Sequence, residues 1–169
     1  MSETSFANLM NALDFMEAAI KKASIMRLLR STHLISELRQ RKNLLQKVNP
    51  AFNDVRPGEH LRQQLCRVNE DSTAWEEIQL KPGSFEEEVN SLKSKYPDTD
   101  IKDLYLSGPL ATYARSLQLV TDFLNNDRSI PASYPEQNLN RALNQFTLLE
   151  KMEEYLLEHH QLDLYSIEK

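Results

Sequence analysis

The side chains best suited to acid–base, nucleophilic or metal chemistry are few: four histidines and one cysteine in 169 residues. His60 and Cys66 are six positions apart, a poor spacing for sharing one helical face. His159 and His160 with Asp163 could offer imidazole and carboxylate ligands. Adjacent helical residues point about 100° apart, however, and a zinc site needs three or four converging ligands. Cys66 could act as a nucleophile only beside a positioned base, and a buried free thiol is its default reading. The run Glu86-Glu87-Glu88, with Glu76 and Glu77, has the composition of a magnesium site. Capping and the helix dipole already account for acids in a first turn. Trp75, the lone tryptophan, reads as a core anchor before it reads as an interface hot spot. No catalytic constellation, metal or small-molecule cofactor is therefore expected, and the balance leans away from an enzyme.

Charge gives a stronger signal. Residues 21–47 carry Lys21, Lys22, Arg27, Arg30, Arg39, Arg41, Lys42 and Lys47 against one acid, Glu37, a local charge of +7 inside a chain of net charge −5. Such a segment suits an acidic protein face or nucleic-acid phosphates. At 100° per residue the charges surround a helix instead of striping it, and no aromatic residues are interleaved for base stacking. The competing expectation is a solvated helix whose bases pair with the protein's own acids, Glu86 to Glu88 among them. Arg27 and Arg41 fall on or beside apolar stripes, where an arginine snorkels, pairs with a buried acid, or faces a cleft; snorkelling is the expectation. Within the segment, Arg27-Leu-Leu-Arg-Ser-Thr-His33 resembles the Arg-x(4–6)-His motif of HEPN-type helical ribonucleases. The resemblance implies an RNA-cleaving or toxin-type activity, with His33 as general acid–base and Arg27 on the phosphate. Leu28 stands where that family usually places a polar residue.

Composition removes other classes. Only 3 residues are glycine, and each neighbours a proline: Pro57-Gly58, Pro82-Gly83 and Gly108-Pro109. None is spare for a phosphate-cradling loop or a nucleophile elbow. Each pair reads as a junction between helices. The apolar runs are too short for a membrane span. The start, Met1-Ser2-Glu3-Thr4, has neither the basic nor the apolar region of a signal peptide. With one cysteine, these features predict a cytoplasmic protein.

The elements that must position these residues are helices. No segment alternates strictly with β-branched enrichment, so no sheet is expected. Phe6, Leu9, Met10, Leu13, Met16 and Ile20 form one helical stripe, and its phase slips after Ala23. The slip implies a break near Ser24 or at Ser31-Thr32, or one helix that changes partners midway. Long helices are predicted at about 4–30 and 32–48, a central helix from Gly108-Pro109 over 109–125, and a C-terminal helix over 135–160. Shorter helices are expected after Pro57, from the capping spacing at Thr73 to about Leu80, and from Ser84. The prediction is all-α: an irregular antiparallel helical bundle of six to seven helices forming a single domain over 1–169. Its expected role is that of a non-catalytic adaptor or regulator acting through helix faces, with residues 21–47 as the contact surface. A protein partner or self-association is expected, with nucleic acid possible and no membrane.

Overall fold

The computed structural model describes residues 6–44, 56–65, 70–75, 78, 80 and 82–165. Six α-helices are found among them: α1 Phe6–Lys22, α2 Ile25–Gln40, α3 Arg56–Leu65, α4 Pro82–Lys95, α5 Ile101–Leu124 and α6 Gln137–His160. They form an irregular all-α bundle, and the described residues contain no strand. The expected short helix from Thr73 to Leu80 is corrected: its described residues, 73–75, 78 and 80, are not α-helical and hold a single tight turn, with Ile78 N donating to Trp75 O at 3.1 Å, while the end of the predicted 32–48 helix falls outside the described residues.

The phase slip is a real helix boundary, and it lies at Ala23-Ser24. Ser24 takes an extended conformation, φ −64° and ψ 151°, and its hydroxyl accepts the Arg27 amide at 3.3 Å. This N-cap starts α2. The predicted partition into 4–30 and 32–48 is thus corrected. Ser31 and Thr32 do not break the chain, because their hydroxyls donate back along the helix, to Arg27 O and Leu28 O, each at 2.8 Å.

Helix α5 is the centre of the molecule and contacts all five other helices. Of its 24 residues, 18 are buried, so it is apolar nearly all round, as a central helix must be. It begins at Ile101, capped by the Asp100 side chain on Lys102 N at 2.9 Å, and not at Gly108-Pro109. An interior proline costs about 3 kcal/mol. Burying Leu104 and Leu106 completely returns about 1.5–3 kcal/mol each, which is enough to keep the helix continuous through Pro109.

Two of the three Gly-Pro pairs do mark junctions, Pro57-Gly58 and Pro82-Gly83 in the first turns of α3 and α4, whereas Gly108-Pro109 lies inside α5. A Cβ on Gly58 would lie 2.3 Å from Ser107 O, so α3 and α5 cross backbone against backbone there. Gly108, mid-helix, faces Leu61 of α3 at ordinary contact distance, 3.5 Å from an added Cβ. Gly83 sits in the first turn of α4, which starts at Pro82, two residues before the expected Ser84 cap.

A short link joins α5 to α6 around Asp122. Its buried carboxylate accepts the amides of Ser129 and Ile130, each at 2.9 Å. Asn126 and Asp127 take the left-handed conformation, φ 63° and 60°, to make that turn. Past α6, Gln161 is also left-handed, φ 52°, and returns the chain so that Leu164 is buried against the core.

Candidate interaction surface

The arginines of the basic segment are engaged within the protein. Arg27 neither snorkels nor faces a cleft. Its guanidinium donates to Phe123 O at 2.9 Å and Asp127 Oδ2 at 3.1 Å, and lies 4.7 Å from the Phe123 ring centroid. It therefore pins the start of α2 to the C-terminal end of α5, where a cation also meets the helix dipole. Arg41, too, is paired: with Glu153 at 2.8 and 3.2 Å and with Glu37 at 2.8 Å, above the Phe146 ring. Burial opposes the Arg41 charge, but its bonds to Glu153 and Glu37 outweigh that and raise its affinity for the proton above the ordinary arginine value. Arg39 makes a bidentate pair with Glu17, and Arg30 pairs with Glu136. The acids that answer this segment are thus Glu17, Glu37, Asp127, Glu136 and Glu153. Glu86 and Glu88 bond His160 and His60 instead.

Lys21, Lys22 and Lys42 are exposed and make no ion pair with another described residue. Lys47 lies outside the described residues, as do Cys66, Glu76 and Glu77. His33 is exposed, and six helical positions set it about 120° from Arg27 around α2. The two residues of the ribonuclease-like motif are not brought together.

The first turns of α2 also present apolar side chains. Its buried face is Ser31, Leu34, Ile35 and Leu38. On the opposite face Ile25, Met26 and Leu29 are 75%, 62% and 68% exposed. Their spacing puts Leu29 over both Ile25 and Met26, a ridge in the first two turns that His33 continues. Lys21 and Lys22 end α1 only two residues before it. One exposed leucine means little, whereas three large apolar side chains in adjoining positions make a candidate contact surface. Sequence reading found this signal as the phase slip but assigned the contact to the charges instead of the apolar residues.

At the other end of α2 lies an open cleft of about 400 Å³, between α2, α6 and the returning tail. Its apolar lining includes Leu157 and Leu162; Leu157 is 55% exposed. Four carboxylates, Glu37, Glu153, Glu154 and Asp163, line it against one guanidinium, Arg41, giving −3. Tyr165 closes the inner side, donating its hydroxyl to Glu153; burial first, and then that carboxylate, raise its pKa above the ordinary tyrosine value.

A third cluster joins α4, α5 and α6. Glu86 accepts the hydroxyls of Tyr105 and Tyr155 and lies 2.6 Å from His160 Nε2, with Phe85 stacked 5.0 Å from the Tyr155 ring. Burial would raise the Glu86 pKa, but the bonds from Tyr105, Tyr155 and His160 prevail and lower it. Burial, and then Glu86 itself, raise both tyrosines. The carboxylate is saturated by the protein's own donors and ties three helices together; sequence reading had no means of pairing residues this far apart. His159 packs against Tyr155 at 4.5 Å, and the His160 ring lies 5.9 Å from the same tyrosine. Among the described residues no group of three or more His, Cys, Asp or Glu is arranged to hold a metal ion. No helix among them is long and apolar enough to cross a membrane. Trp75 is partly buried against the core.

No protein-family model, curated protein or solved structure matches this chain.

Proposed function

We propose that this protein is a non-catalytic interaction module, an adaptor or regulator, whose contact surface is the α1–α2 elbow. The observation that carries the reading is the exposed ridge Ile25, Met26 and Leu29 beside Lys21 and Lys22. An apolar ridge supplies binding energy on desolvation, and the two lysines select an acidic surround and speed encounter. Arg27 and Arg41 support this role indirectly, by tying the start of α2 to α5 and the turn after α2 to α6. The ribonuclease reading draws no support from the geometry, since Arg27 is occupied by Asp127 and His33 points elsewhere.

The test is site-specific photo-crosslinking. A photoreactive phenylalanine analogue replaces Leu29 in one version of the protein and exposed Gln118 of α5 in another. In nuclease-treated extract the Leu29 probe should give discrete protein adducts that the Gln118 probe does not. Adding Ile25→Glu should abolish them. Adducts that vanish with nuclease, or identical patterns from both probes, would sink the reading.

A further inference from the structure

The ridge and the cleft are complementary, and the same helix carries both. The ridge is convex, apolar and flanked by Lys21 and Lys22; the cleft is concave, apolar at Leu157 and Leu162, and of net charge −3. We infer that the occupant of the cleft is the ridge of a second copy of this chain, so that the protein associates head to tail. This rests on the elbow being a contact surface and names its partner.

Three observations carry the inference. The first is size. A cavity of about 150 Å³ accepts a benzene-sized group, so about 400 Å³ accommodates two aliphatic side chains such as Ile25 and Leu29. The second is charge. Lys21 and Lys22 are exposed, Lys21 acting on Glu17 one turn back without a close ion pair, and the exposed carboxylate of Glu154 lines the cleft. The third is reach. The ridge occupies residues 25–29 of α2 and the cleft uses residues 37–41, about 18 Å further along the same rise of 1.5 Å per residue. A continuous helix cannot fold its beginning onto its end, so a ridge can fill only another molecule's cleft. Such a contact is heterologous: each copy keeps one free ridge and one free cleft, and association proceeds to a closed ring or an open chain.

Sedimentation equilibrium on the full chain tests this. The wild type should show a weight-average mass that climbs with concentration beyond a dimer, and less steeply in high salt. Leu29→Glu breaks the ridge and Leu157→Lys breaks the cleft; both sites are exposed, so neither change removes a buried contact. Each variant alone should lose association by at least about tenfold. Mixed in equal amounts, they should form a 1:1 dimer that grows no further, because one intact ridge meets one intact cleft. Ile25→Glu and Glu154→Lys serve the same purpose if either first variant is poorly folded by circular dichroism. A concentration-independent monomer for the wild type overturns the inference, and so does a Leu157→Lys protein that associates normally, which would mean ridge packing on ridge. If the wild type is monomeric while the Leu29 crosslinks persist, the elbow remains a contact surface and only its assignment to a second copy fails.

Discussion

Arg27 and Arg39 belong to the same helix and the same basic segment, yet they should matter very differently. Arg27 and Asp127 are 20% and 14% exposed, and Arg27 also satisfies a carbonyl at the end of α5. Arg27→Ala leaves Asp127 without its cation, and should cost about 2–3 kcal/mol. Arg39 and Glu17 are 49% and 40% exposed, where screening leaves little net gain; Arg39→Ala should change stability by no more than about 0.5 kcal/mol. Urea midpoints at constant slope distinguish the two outcomes. Equal losses would mean that the buried pair does not hold α2 in place. Glu150 gives a further test of sign. Burial raises its pKa above the ordinary carboxylate value, so the fold disfavours its charge. A raised carboxylate holds its proton longer in the native state, so stability falls as pH rises from the unfolded value through the folded one. Glu150→Gln should therefore raise the melting temperature near pH 7, and the gain should disappear below about pH 4.

At the scale of elements, caps and periodicity were readable where the decisive contacts are local. Ser24, one of the two expected break points, caps α2, and Met16 of the predicted stripe faces the core with Leu13 and Ile20 packed beside it; the Asp100 cap of α5 was not read. Gly108-Pro109 was misread because a Gly-Pro pair looks like the start of a helix, and only the packing of Leu104 and Leu106 against distant helices makes the continuous helix worth its cost. The Arg27–Asp127 and Arg41–Glu153 pairs, and the cleft beside the latter, were hidden for the same reason: each joins positions about a hundred residues apart. The glycines then make opposite predictions from similar sequence surroundings. Gly58→Ala drives a methyl into Ser107 O and must spread α3 from α5, costing about 1–3 kcal/mol or more. Gly83→Ala meets nothing within 4 Å and should gain about 0.4–1 kcal/mol by restricting the unfolded chain. Thermal unfolding of the two variants checks both, and a tolerated Gly58→Ala would contradict the close crossing.

For the molecule as a whole, Glu86 links pH to the docking of α4 on α5 and α6. Its folded pKa is lowered, so its contribution is present above the ordinary carboxylate value and is lost as pH falls through the lower folded one. Glu86→Gln should destabilise the protein near neutrality and flatten the acid limb of its stability curve, followed by denaturant unfolding across pH 2–7. An unchanged acid limb would show that the cluster is not a source of acid sensitivity. The central placement of α5 also bears on how the chain reaches this structure. Helices α5 and α6 are neighbours in sequence and share the most extensive contact, whereas α1 must find α5 across about eighty intervening residues. Closing the shorter loop first loses less chain entropy, so the α5–α6 pair is the natural folding nucleus. Leu149→Ala, in that pair, should mainly slow refolding, while Met16→Ala in α1 should mainly speed unfolding, as stopped-flow kinetics would resolve. On that order of events α2 docks after the nucleus, and the apolar residues at its start meet solvent at every stage from synthesis onward. Any surface that covers them then meets a helix whose other face is already docked.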